Sequence, residues 1–263
     1  RVTLIDKRNH HLFQPLLYQV ATAGLSPAEI AAPIRTLLSR YKNISVLQAE
    51  VQSIDTDSCS LKTDHDTIEY DYLILACGAS HSYFGNEHWE PFAPGLKTIE
   101  QATEIRRRVL SAFEQAERSQ DREDLKRNLT FVIVGAGPTG VELAGAISEM
   151  SRYTLAREFT SIDPSLTRVI LIEAGSRILP MFSDAQSAIA MRDLEKIGVQ
   201  VWTSSMVSRI DEDGVEIGDE RVQAATVVWA AGVKAAALND GIDAHKDRQG
   251  RVVVQDDLSL ESA

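Results

Sequence analysis

Six residues, Gly135-Ala136-Gly137-Pro138-Thr139-Gly140, have the types and spacing to hold a diphosphate. They follow the apolar run Thr130-Phe131-Val132-Ile133-Val134 and open a helical pattern from about Gly140 to Ser151. Gly135 suits a tight turn. Gly137 removes the Cβ between backbone and ligand, and Gly140 lets helix and strand approach closely. The first N–H groups of such a helix, from Thr139 onward since Pro138 has none, lack intrahelical acceptors and attract anions. The next apolar run, Val169-Ile170-Leu171-Ile172, ends in Glu173, whose carboxylate can accept hydrogen bonds from a ribose diol. A carboxylate there repels a 2′-phosphate, so NADH is expected over NADPH. Arg177, close behind, would soften that preference. The interval to Glu173 exceeds the usual ~20 residues. Residues 152–168 are therefore expected to form an inserted or extended helix and loop. The plainer alternative is a tight strand-to-helix turn without ligand.

The pattern occurs twice. Val2-Thr3-Leu4-Ile5-Asp6 is also an apolar run ending in an acid, and Arg8 follows it as Arg177 follows Glu173. By analogy Asp6 would bind a ribose; otherwise it is an ordinary strand-end acid. Tyr72-Leu73-Ile74-Leu75-Ala76-Cys77-Gly78 likewise matches Val227-Val228-Trp229-Ala230-Ala231-Gly232. Small residues at such strand ends let a loop approach a cofactor. Two half-similar units imply two dinucleotide sites. The chain opens inside a strand and runs out soon after Val252-Val253-Val254, so both ends read as cut. The glycine loop belonging to Asp6 would precede Arg1.

These residues must be positioned by alternating strands and helices. Strands are expected at 2–6, 44–55, 58–63, 67–70, 72–76, 130–134, 169–172, 199–202, 226–231 and 251–254, with short strands across 205–223. Helices are expected at 26–42, 99–117, 140–151 and 184–197. Ser26 and Pro27 would start the first, 79–97 reads as a loop, and 121–127 as a charged connector. Strand–helix alternation implies an α/β fold with a parallel sheet. The 263 residues suffice for one large or two modest domains. A net charge of −11 argues against nucleic acid as a partner. No window is apolar enough to span a membrane. Cys59 and Cys77 form no Cys-x-x-Cys motif, which suits a reduced, intracellular protein.

The chain resembles the two-dinucleotide-domain flavoproteins, the pyridine nucleotide–disulfide oxidoreductase superfamily, and more narrowly the type II NADH dehydrogenases. The resemblance rests on residues 5–27 (IDKRNHHLFQPLLYQVATAGLSP), 73–79 (LILACGA), 132–149 (VIVGAGPTGVELAGAISE), 171–180 (LIEAGSRILP) and 227–233 (VVWAAGV). It implies two Rossmann-like domains, with an NADH domain at 98–233 inserted in a truncated FAD domain at 1–97 and 234–263. Asp6 would bind the FAD ribose, and Asn9 to Pro15 would run past the flavin. Val51 would meet the adenine through its backbone, while Ala76 and Gly78 would contact FAD. Gly135, Gly137, Gly140 and Glu173 would bind NADH, and Pro138, Thr139, Arg177, Ala231 and Gly232 are further cofactor-binding candidates. Glu142 would be the catalytic carboxylate near the nicotinamide and quinone end; a solvated helix carboxylate is its plainer reading. The implied activity is hydride transfer from NADH to FAD and onward to a membrane quinone, without proton pumping. The resemblance places the enzyme peripherally at the cytoplasmic face of a bacterial inner membrane, attached through a missing C-terminal region, and allows a homodimer. It departs at Cys77, where many relatives have Thr.

Hydride transfer needs little acid–base help, so the lack of a triad or metal cluster is expected. Disulfide reduction needs a Cys pair near the flavin, and residues 9–27 contain no Cys. His10 and His11 read as packing or surface rather than metal ligands. Trp202 and Trp229 read as core, and Arg106-Arg107-Arg108 as a solvated face. Leu16-Leu17-Tyr18 could cover a flavin or simply pack. Two alternatives stay open: a reductase of the same fold with another acceptor, and a module that binds NADH without turnover.

Overall fold

A computed structural model of the protein describes residues 1–163 and 166–260. The chain forms two compact units. The first comprises Arg1–Leu12, Ala31–His81 and the residues from Val233 onward; the second comprises Phe13–Ile30 and Ser82–Gly232. The second is thus inserted in the first along the sequence. Residues 13–30 and 82–97, expected with the first unit, pack with the second. Their apolar side chains explain this: Tyr83 and Trp89 gather around Trp229, with ring centroids 5.0 and 5.8 Å away.

The first unit opens with β1 (Val2–Asp6), then β2 (His10–Leu12). The chain leaves for the second unit, where Leu17–Ala21 forms α1, and returns as β3 (Ala31–Pro33) and α2 (Ile34–Leu38). The expected 26–42 helix is therefore broken. Ser26 and Glu29 cap a 3-10 turn at Pro27–Glu29, as Ser26 N–H donates to Glu29 Oε2 at 2.7 Å. Pro33 has no N–H and disfavours helical geometry at Ala32. Ala32 instead pairs with His11 in an antiparallel ribbon of β2 and β3. β4 (Ile44–Gln48) runs parallel to β1, and β5 (Val51–Asp55), β6 (Ser60–Thr63) and β7 (Thr67–Glu69) form an antiparallel sheet. Ile54, Leu61 and Ile242 centre its small core.

Three strand expectations fail here. The run 44–55 breaks at residues 49–50 into β4 and β5, which belong to different sheets. Residues 72–76 are extended but not laddered, with Tyr72 and Ile74 more than nine-tenths exposed. A strand exists by its hydrogen-bonded neighbours, and among the described residues no strand pairs with this run. At 251–254 only Val252 makes a bridge, to Lys246. The Asp247 carboxylate gathers the N–H groups of Gln249 and Arg251 and so curls the segment into a turn. Within the presumed loop at 79–97, β8 (Ala79–His81) is a strand.

The second unit continues with α3 (Ile99–Arg118) and α4 (Arg122–Asn128). The charged connector is thus a helix: Asp121 Oδ2 accepts Asp124 N–H, with acids first and bases last as the helix dipole favours. Arg108 also leaves the solvated face, donating to the carbonyls of Pro91 and Phe92. β9 (Thr130–Val134) leads through the glycines into α5 (Pro138–Glu149), then a wide turn at Met150–Thr154. That turn and a 3-10 turn at Leu155–Arg157 supply the expected extension; 164–165 lie outside the described residues.

β10 (Arg168–Ile172), α6 (Asp184–Lys196) and β11 (Val199–Trp202) follow. β12 (Val207–Asp211), β13 (Gly214–Ile217) and β14 (Glu220–Gln223) make an antiparallel sheet, and β15 (Thr226–Trp229) closes the unit. β16 (Val233–Ala235) then pairs with β8 in the first unit. The parallel order is β11-β10-β9-β15. Every residue of β9 is buried, so its apolar run serves both faces. Val132 and Val134 join Ile170, Ile172, Trp229 and the antiparallel sheet; Phe113 of α3 stacks on Phe131 at 5.5 Å. Both expected core tryptophans lie in that first cluster, Trp202 at its edge.

Candidate dinucleotide-binding site

β10 lies on one side of β9 and the later β15 on the other. The connection reverses direction there, and α/β sheets bind ligands at the carboxyl ends of strands beside such a reversal. The glycine sequence occupies that place.

Each glycine has a different constraint. Gly135 has φ +103°, and an added Cβ would overlap the Ala231 backbone, lying 2.5 Å from its nitrogen. A Cβ on Gly140 would strike the Gly135 carbonyl oxygen. These two are required by packing. Gly137 caps α5 in extended geometry, and a Cβ there would meet nothing within 4 Å. The backbone at Gly137 therefore borders open space. Pro138 fills the first helical position, where its missing N–H costs nothing, and Thr139 follows.

The second strand fastens this loop from behind. Glu173 Oε2 accepts the Ala136 N–H at 2.8 Å, and Oε1 accepts the Gly175 N–H at 2.8 Å. The Leu179 N–H donates to the Ala136 carbonyl at 2.8 Å. Ser204 and Ser205 N–H groups donate to the carbonyls of Gly175 and Glu173. Arg177 turns inward to Pro180, Phe182 and Ser187. The sequence reading missed Leu179 and Ala136. Leu179 sits at φ +49°, which no side-chain pattern announces; only its neighbourhood to Pro180 hints at a turn.

Gly232 belongs to packing as well. Its carbonyl accepts the Ser82 N–H, and a Cβ would press on the Phe84 ring at 2.6 Å. Glu142 lies on α5, past its first turn, and keeps more than a third of its surface in water. Partial burial still raises its carboxyl above the usual range. α1 packs against both α5 and α3. Leu17 is accordingly buried, so packing accounts for it.

In the first unit Asp6 Oδ1 accepts the Arg8 N–H at 2.8 Å, the same turn that Glu173 makes with Gly175. The Ala49 N–H donates to the Asp6 carbonyl, and Val51 follows at a bulge in the β5–β6 pair. Asn9 accepts the Ile34 N–H. Pro15 lies in a 3-10 turn that packs with the second unit. Ala76 and Gly78 lie in the unladdered run; Gly78 has φ +71° and open space at its Cβ. The structure therefore gathers the four expected NADH residues, with Pro138, Thr139, Arg177, Ala231 and Gly232, in one unit but does not bring Asp6, Ala76 and Gly78 into one sheet. Where a dinucleotide diphosphate and ribose are concerned, the open space at Gly137 and the acid at Glu173 fit NADH.

The chain belongs to the pyridine nucleotide-disulphide oxidoreductase family, whose model matches residues 1–262. Within that class, it is 47% identical over 274 residues to the type II NADH:quinone oxidoreductase NdhA of Mycobacterium tuberculosis, covering 99% of this chain and 58% of that protein. Ndh of the same organism is 44% identical, covering 98% of this chain and 59% of that protein. Among solved structures, NDH2 of Plasmodium falciparum in complex with NADH superposes with a TM-score of 0.85 at 25% identity, covering 96% of this chain and 54% of that one. The chain thus spans under two thirds of these relatives. Among the described residues no helix is long and apolar enough to cross a membrane.

Proposed function

We propose that the protein oxidises NADH through bound FAD and passes the electrons to a membrane quinone, without pumping protons. The observation that carries this reading is the glycine loop, open at Gly137 and fastened behind by Glu173. The 47% identity to a type II NADH:quinone oxidoreductase supports the choice of reaction.

In this reading the first-turn N–H groups of α5 face the NADH diphosphate. Glu173 keeps the Ala136 N–H and accepts the ribose hydroxyls with its remaining lone pairs. Asp6, Asn9 and Val51, with Ala76 and Gly78, hold FAD in the first unit. FAD, when bound, supplies the hydride acceptor and two-electron store. Glu142, its carboxyl raised by burial, holds a proton for quinone reduction. The protein works peripherally at the cytoplasmic face of the membrane, and a homodimer is compatible with this.

The test is anaerobic absorbance of the flavin-loaded, desalted protein. NADH should bleach the flavin band, and a quinone should restore it. Flavin that stays oxidised under saturating NADH contradicts the reading and leaves a binding module. Reoxidation by a ferredoxin-type protein but not by quinone contradicts the acceptor.

A further inference from the structure

We infer that Arg177 is a positioning residue for NADH, acting through the glycine loop rather than touching the nucleotide. This rests on the NADH reading above. The guanidinium sits inside a turn. Nη2 donates to the Pro180 carbonyl at 2.8 Å, and Nη1 to the Phe182 carbonyl at 2.8 Å and to Ser187 Oγ at 3.2 Å. Ser187 is buried and passes its own proton to the Ile178 carbonyl at 2.7 Å. The Phe182 N–H closes the turn on the Leu179 carbonyl. Wrapped this way, Leu179 is held in the left-handed region, which a branched side chain avoids. Its N–H donates to the Ala136 carbonyl.

Ala136 lies between Gly135, which packs on the Ala231 backbone, and Gly137, which borders the open space. Its N–H is held by Glu173 and its carbonyl by Leu179. Both ties come from the segment after β10, and Arg177 keeps that segment folded. A lysine cannot replace it, because one ammonium cannot span two carbonyls and a hydroxyl in fixed planar geometry. The same commitment removes Arg177 from nucleotide choice. With both terminal nitrogens engaged by the turn, the guanidinium is oriented toward Pro180, Phe182 and Ser187 rather than toward a 2′-phosphate, and the preference rests on Glu173. Asp184, 2.9 Å from Nη1, has a side chain 94% exposed and adds little.

The test compares Arg177→Lys, Arg177→Ala and Asp184→Asn in the intact, flavin-loaded protein, with NADH and NADPH as substrates. Arg177→Lys should raise KM for NADH roughly tenfold with kcat nearly unchanged, since it removes charge-assisted hydrogen bonds that order the loop. Arg177→Ala should raise it further, and Asp184→Asn should leave it alone. The ratio of kcat/KM for NADH over NADPH should stay constant throughout. A KM unmoved in Arg177→Lys, while the parent oxidises NADH, overturns the role. A selective loss of NADPH use also overturns it and makes Arg177 a phosphate ligand. A parent that oxidises neither nucleotide overturns the NADH reading and this inference together.

Discussion

The two units repeat one plan and complete it differently. Each has an acid-tipped strand, β1 or β10, paired in parallel with a later strand, β4 or β11. In each the acid accepts the N–H two residues on. Each then builds a three-stranded antiparallel sheet with an irregularity near its start, at Val51/Ser53 and at Val207/Arg209. The next apolar run separates them. Residues 226–229 become β15 because β9 lies alongside, while residues 72–76 have no ladder neighbour among the described residues. A strand is therefore a property of a run together with its neighbour, and the pattern of a run alone does not make one.

The largest expected effect comes from the paired runs. Val228 is buried in β15, and Ile74, its counterpart by sequence, is 91% exposed. Val228→Asp would bury an unpaired charge and cost about 4 kcal/mol or more, enough to unfold the second unit. Ile74→Asp should change stability by under about 0.5 kcal/mol. Urea denaturation of the 263-residue chain measures both; equal losses would break the comparison.

The two acids give a smaller contrast. Glu173 holds two N–H groups, one of them 37 residues earlier in the chain, while Asp6 holds one from its own turn. Glu173→Ala should cost about 2 kcal/mol and Asp6→Ala about 1 kcal/mol. Similar losses would mean that the fastening of the glycine loop has no special weight.

Glu142 gives the smallest effect. Burial raises its folded pKa above the unfolded value, so the fold favours the protonated form. That contribution is full below the unfolded pKa and is lost as pH rises through the folded one. Glu142→Gln should therefore raise Tm slightly at neutral pH and leave it unchanged in acid, below the unfolded pKa. Thermal melts at the two pH values decide it, and a gain that persists in acid would contradict the assigned cause.

Much of the second unit was legible in the sequence because its signals are local. The run 130–134, the three glycines and Glu173 each carry their meaning in their own types and order. Gly140 and Gly135 sit where a Cβ cannot go, as their spacing suggested. What escaped depends on partners distant in sequence. The 26–42 helix looked continuous until β2 claimed residues 31–33. Residues 13–30 and 82–97 read as part of the first unit, although their apolar side chains pack in the second. From the sequence, Arg177 reads as softening the preference for NADH because it follows Glu173 closely; its carbonyl partners appear only when the turn folds back.

The most direct test of the central claim is Gly137→Val. A Cβ there meets no protein atom within 4 Å, and φ is −73°, a backbone geometry open to any residue. Stability should change by about 1 kcal/mol or less, the scale of a changed helix cap. NADH affinity, measured by titration calorimetry on the intact protein, should fall at least about a hundredfold, because the side chain fills the space of the diphosphate. Unchanged NADH affinity in a folded Gly137→Val protein would contradict the assignment of this loop as the dinucleotide site.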